Sequence, residues 1–118
     1  MKLNMFEYLV RQRNFSIGAF GPGLRTKGLI DHIKKELVEI EEAPTDLKEW
    51  IDVVTLALDG AWRAGHSPEA IMLQLDATLE RNIRRSWPDW RKSDPNKAIE
   101  HDRTVNDHEP YKPFIEGT

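Results

Sequence analysis

The chain has 118 residues, a length that suits one domain with a small core, and a formal net charge of −3. It has no cysteine, which excludes disulfides, thiolate metal sites and a cysteine nucleophile and suits a reducing cytoplasm. The acidic balance (sequence pI ≈ 5.8) argues against a nucleic-acid partner. The start, Met1 to Glu7, has no apolar h-region, and no apolar run approaches the ~20 residues of a membrane span, so no membrane association is expected.

Phe6, Leu9, Val10 and Arg13 recur at helical spacing and predict a short amphipathic helix over residues 4–13. Residues 14–26 follow with Gly18, Gly21, Pro22 and Gly23, a loop whose backbone can take positive φ and approach a ligand closely. Such a loop also serves as a plain connection, and no Walker-type Lys-Ser/Thr ends it. Phe20 and Arg25 tilt the reading toward binding, because a ring stacks on a base and a guanidinium grips a phosphate.

Over residues 26–42, Leu29, Ile30, Ile33, Leu37 and Ile40 form one apolar stripe, which predicts an amphipathic helix with Glu36 and Glu39 beside the buried seam. His32, off the stripe, reads as a surface residue. Pro44 and Thr45 turn the chain, and Asp46-x-x-Glu49 reads as a capping box, which offers Glu49 the alternative task of closing on the backbone. Residues 47–64, with Trp50, Ile51, Val53, Val54, Leu56, Leu58 and Trp62, are apolar around most of the circumference and are expected to form the central helix.

Gly65 ends that helix and Ser67-Pro68 opens a fourth, with Ile71, Met72, Leu75, Leu79 and Ile83 inward and a basic end at Arg81, Asn82, Arg84 and Arg85. These cations either complement the helix dipole or, with Asn82 and the following Trp87-Pro88-Asp89-Trp90-Arg91, make a phosphate-binding set. Residues 97–103 are expected to form a short helix and residues 106–113 to be extended or loosely ordered. No alternation suggests a strand, so the expected class is all-α. The domain is expected over residues 1–103, with a tail over 104–118 that is loosely ordered or packed on a neighbouring subunit.

Two acidic pairs of equal spacing flank Pro44: Glu36 with Glu39, and Glu49 with Asp52. Residues three apart share a helix face, so each arm presents two carboxylates together. The pairs are also symmetric about the proline, so an antiparallel hairpin would bring Glu39 level with Glu49 and Glu36 level with Asp52. Four converging carboxylates call for a cation, and Mg²⁺ or Mn²⁺ takes oxygen ligands of this kind. The same residues are also compatible with ordinary solvated helix faces.

Glu36-x-x-Glu39 followed by Glu49-x-x-Asp52 resembles the metal signature of the MazG-like all-α nucleotide pyrophosphohydrolases. Phe20-Gly21-Pro22-Gly23-x-Arg25, Pro44-x-Asp46-Leu47, Leu58-Asp59-Gly60-Ala61-Trp62-Arg63 and Trp87-Pro88-Asp89-Trp90-Arg91, in this order, resemble the phage dATP/dGTP diphosphohydrolase branch of that family. The resemblance implies a MazG-like helical bundle completed by oligomerisation, as a homodimer or homotetramer, in the host cytoplasm if the chain is phage-encoded. It implies hydrolysis of a purine dNTP to monophosphate and pyrophosphate, with dGMP supplied for 2-aminoadenine nucleotide synthesis. Two to three Mg²⁺ or Mn²⁺ ions would be held by Glu36, Glu39, Glu49 and Asp52.

On this reading Glu36 or Glu39 serves catalysis, Glu36 taking the proton of the attacking water, because Lys35 stands where the wider family carries a leading glutamate. Arg81, Asn82 and Arg85 would steady the polyphosphate, and Phe20, Gly21 and Arg25 would lie along the base and phosphates. The rival readings are a house-cleaning pyrophosphohydrolase for another nucleotide and a non-enzymatic helical interaction module. A ferritin-like di-iron bundle is disfavoured because no glutamate precedes a histidine by three places.

Overall fold

A computed structural model describes residues 2–103. Four helices follow one another, α1 (Met5–Phe20), α2 (Thr26–Glu42), α3 (Leu47–Arg63) and α4 (Pro68–Arg84), and no strand occurs among the described residues, so the class is all-α. None of these helices is long and apolar enough to cross a membrane. The chain forms two compact units, Met1–Leu73 and a second from Gln74 onward, with the boundary inside α4. The expectations for residues 104–118 lie outside the described residues.

In the first unit α3 packs against both α2 and α1, which makes it the central helix. The approach to α2 is closest around Gly60, where a side chain's Cβ would stand 3.7 Å from Leu29 Cδ1. Leu9, Leu29, Ile40 and Ile71 form the buried apolar core. On α2 the buried face is Leu29, Glu36 and Ile40, spaced by seven and four, while Ile30 and Leu37 are half exposed. Glu36 therefore sits on the seam and not beside it.

α1 begins at Asn4, whose side chain accepts a hydrogen bond from the Glu7 amide (3.1 Å), and runs to Phe20, seven residues beyond the expected end at Arg13. The extension escapes apolar periodicity because its inner face is polar. Gln12 Nε2 donates to the Thr55 carbonyl (2.8 Å), and buried Ser16 bonds to α3. These tertiary bonds offset the propensity cost of Gly18 in mid-helix. The glycine loop shrinks to residues 21–25, opened by Gly21 at φ +83°.

The α2–α3 turn holds a second departure. Asp46 caps α3 by accepting from the Lys48 amide (3.0 Å), but its own N–H donates to the Ala43 carbonyl (3.1 Å), so the capping box is not closed by Glu49. Glu49 is left to point its carboxylate elsewhere. On the outer side of α3, Leu47, Ile51 and Val54, spaced by four and three, form an apolar stripe that stays about half exposed or more.

In the second unit α4 ends at Arg84, and the helix expected over residues 97–103 does not form. Asp94 takes the amides of Asn96 (2.9 Å, on its side chain) and Lys97 (3.1 Å, on its carbonyl), which commits that stretch to a turn. The Asp102 amide then donates to the Ser86 carbonyl (2.7 Å), drawing the segment back in extended form. A 3₁₀ turn at Trp90–Lys92, capped by Asp89, is the other regular piece, and Trp87 meets His101 edge-on at 5.9 Å.

Candidate active site

The hairpin of α2 and α3 brings Glu36, Glu39, Glu49 and Asp52 together, with one oxygen from each within 4.8 Å of the others. Glu36 is buried, Glu49 and Asp52 are half-buried and Glu39 is exposed, so the cluster opens on the Glu39 side. The Glu39 carboxyl is held above its ordinary range, first by its contact with Glu36. Glu49 is pushed up by burial and then by Glu39. The positive charges nearby are peripheral: Lys48 Nζ lies 3.6 Å from Asp52 Oδ2 and 3.9 Å from Glu49 Oε1, and these two carboxylates raise its own pKa.

Two buried oxygens of the cluster, Glu36 Oε2 and Glu49 Oε2, have no hydrogen-bond partner. Buried carboxylate oxygens without donors are costly unless a cation meets them. The donor set is all oxygen, the chemistry of Mg²⁺ and Mn²⁺ and not of thiolate-loving metals, so the residues fit a hard divalent ion. Lys35, the departure from the wider family's signature, pairs with Asp31 (3.3 Å) and takes no part in the cluster. His32 is not an idle surface residue: its Nε2 stands 3.2 Å from Glu36 Oε1, a contact that the i,i+4 spacing could have announced.

A second constellation lies where the glycine loop meets the end of α3. Arg63, its side chain 1% exposed, donates through Nε to Asp59 Oδ2 (2.9 Å), through Nη1 to the Gly21 (2.8 Å) and Gly23 (2.9 Å) carbonyls, and through Nη2 to Ser16 Oγ (2.9 Å). Asp59 also accepts from Ser16 Oγ and from Trp62 Nε1 (2.7 Å). Burial alone would raise the Asp59 pKa, but the hydrogen bonds from Ser16, Arg63 and Trp62 outweigh it and hold the carboxyl below its ordinary range. Sequence reasoning missed this group, although Asp59 and Arg63 at i,i+4 are a spacing that makes ion pairs.

Phe20, Gly21 and Arg25 come together above this group, with the Arg25 guanidinium carbon 5.5 Å from the Phe20 ring centre. Beside them, between α1 and α3, is a cavity of about 720 Å³ lined by Tyr8, Gln12, Phe15, Phe20, Thr55 and Asp59 among others. Arg81, Asn82 and Arg85 belong to the second unit, where Arg85 Nη1 donates to Asn82 Oδ1 (3.1 Å) and Arg81 is exposed.

An all-helical chain whose hairpin gathers four carboxylates able to hold a divalent ion has the architecture of the MazG-like nucleotide pyrophosphohydrolases. The family model described as dATP/dGTP pyrophosphohydrolase matches residues 9–106, and the chain belongs to that family. It is thus a hydrolase acting on the pyrophosphate bonds of nucleoside triphosphates, with a nucleotide as substrate. No curated protein and no solved structure shows a significant match.

Proposed function

We propose that the chain cleaves dATP and dGTP between the α and β phosphates, releasing monophosphate and pyrophosphate, with two to three Mg²⁺ or Mn²⁺ ions held by Glu36, Glu39, Glu49 and Asp52. The observation that carries this reading is the meeting of four carboxylates from two helices within 4.8 Å, two of their buried oxygens lacking any partner. When bound, such ions screen phosphate charge and lower the pKa of a water toward neutrality.

The chain's own residues do the rest. Glu36, with a buried and uncommitted Oε2, is the carboxylate that takes the proton from the attacking water, and Glu39 is the second catalytic acid of the pair. Phe20 lies against the base, at the edge of a cavity whose size suits a nucleoside. Gly21 and Arg25 carry the loop along the phosphates. The dGMP released feeds 2-aminoadenine nucleotide synthesis in a phage, a role carried by the family resemblance.

The enzyme works as a homodimer or homotetramer. The support is the stripe of Leu47, Ile51 and Val54, which a monomer would leave in water. Changing Ile51 to Glu should shift the mass seen by light scattering toward the monomer, and an unchanged mass removes this stripe from the interface.

The activity is tested by incubating the protein with each of the four dNTPs and Mg²⁺, then resolving monophosphate, diphosphate and pyrophosphate. Purine dNTPs yielding monophosphate and pyrophosphate support the reading, and pyrimidine-only turnover overturns it. Glu39→Gln and Asp52→Asn should each lower kcat at least about a hundredfold with helicity unchanged. Full turnover in both would remove the carboxylates from the chemistry.

A further inference from the structure

We propose that Arg63, with Asp59 and Ser16, forms a positioning device that presents the Phe20–Arg25 loop to the nucleotide. This inference rests on the reading that Phe20 and Arg25 contact the substrate. Arg63 touches neither. It acts through the loop backbone.

The bond pattern carries the inference. Two of Arg63's four donations end on loop carbonyls, Gly21 and Gly23, both from the same Nη1. The other two, to Asp59 and Ser16, fix the guanidinium itself to α3 and α1. What the guanidinium constrains is therefore the path of the loop. Gly21 and Gly23 stand at φ +83° and +89°, and a Cβ at either would meet nothing within 4 Å. Glycine is present for the backbone path that brings both carbonyls to one nitrogen, not for want of space.

The upper side of the same loop is open. Phe20 is 55% exposed, and the Arg25 guanidinium is stacked over its ring. A segment fastened from beneath by a buried cation and exposing an aromatic–guanidinium pair above is preorganised for a planar, anionic ligand. Stability alone accounts for the arrangement poorly, because buried ion pairs are often matched or bettered by apolar side chains of similar volume. Apolar side chains would leave the loop carbonyls without their donor.

Arg63→Lys keeps the charge opposite Asp59 but cannot make all four bonds, and Ser16→Ala removes one partner while leaving the ion pair. In folded Arg63→Lys the KM for dGTP should rise about tenfold with kcat within about threefold of wild type. Amide exchange over residues 21–26 should quicken, and the Mn²⁺-induced rise in melting temperature should persist. Combining Arg63→Lys with Phe20→Ala and Arg25→Ala should abolish the additional KM effect, because the device acts only through those side chains.

If Phe20→Ala and Arg25→Ala raise KM but Arg63→Lys does not, or adds its full effect in their absence, the positioning role is overturned and the substrate reading of the loop stands. If Phe20→Ala and Arg25→Ala leave KM unchanged, the loop reading itself is wrong and the positioning role falls with it. Should Arg63→Lys fail to fold, Ser16→Ala decides by the same KM and exchange measurements, with a smaller rise expected and an unaltered KM fatal.

Discussion

The same chemical change, glycine to alanine, should have opposite signs three residues apart in α1 and its loop. Gly18 lies inside α1 and its Cβ would meet nothing within 4 Å, so Gly18→Ala gains the helix-propensity difference of about 0.5–1 kcal/mol. Gly21 sits at φ +83°, ψ 169°, a region a side chain reaches only at a cost of about 1–3 kcal/mol. The two variants should therefore differ by about 1.5–4 kcal/mol, which spreads their melting temperatures by roughly 6–30 °C for a domain of this size. Urea unfolding followed by far-UV circular dichroism measures both. A destabilised Gly18→Ala would mean that residue 18 stands in a loop with positive φ, as the glycine-rich stretch first suggests, and would refute the longer α1 and with it the route by which Ser16 reaches Asp59.

The Glu39 carboxyl is raised first by its contact with Glu36, and the Glu49 carboxyl by burial and then by Glu39, so in the absence of metal their contribution is present below the unfolded carboxylate pKa of about 4.3 and is lost as pH rises through their folded values. Removing both charges by Glu39→Gln and Glu49→Gln should make the metal-free protein more stable than wild type at neutral pH while abolishing the Mn²⁺-induced rise in melting temperature; a destabilised double variant would sink this. Mn²⁺ affinity of wild type should fall as pH drops through those raised values, since metal and protons compete for the same oxygens, and a pH-independent titration would count against it. Asp59 has the opposite sign: its pKa is lowered, so its contribution is present above the unfolded value and lost as pH falls through the folded one. Asp59→Ala, which strands the buried Arg63 guanidinium, should cost about 3–5 kcal/mol in chemical denaturation, and a loss under about 1 kcal/mol would show that the guanidinium finds water instead.

What was legible in the sequence follows from which signals are periodic. The helices over residues 26–42 and 47–64 and the acidic pairs about Pro44 are regular in i,i+3 and i,i+4 spacing, and the observed helices and the meeting of the four carboxylates follow those spacings. Polar burial between different helices is what spacing cannot announce. Gln12 and Ser16 hold the second half of α1 by hydrogen bonds to α3, so a stripe of apolar residues is lacking where the helix continues. Glu36 lies on the buried face of α2 for a similar reason: hydropathy assigns a carboxylate to the outside, and only its neighbours across the hairpin explain it. The roles expected of Phe20, Arg25 and the basic end of α4 rest on side-chain chemistry and on the family resemblance, because stacking and phosphate grip depend on a ligand and not on the chain.

The two constellations share one helix, and that sharing has mechanical content. Glu49 and Asp52 stand in the first two turns of α3, while Asp59 and Arg63 stand near its end, with seven residues, on the order of 10 Å of helix rise, between Asp52 and Asp59. Within a continuous helix that separation and the angle between the two groups are fixed by backbone hydrogen bonds, whereas the loop over residues 21–25 has no ladder of its own. Arg63 transfers the rigidity of α3 to that loop by binding its carbonyls directly. On the proposed reading, the base and the scissile phosphate are thus registered against the same rod, one through a guanidinium and the other through carboxylates. On the same reading, the polar burial that hid this part of the chain from sequence analysis is the feature that would link recognition to the reaction centre.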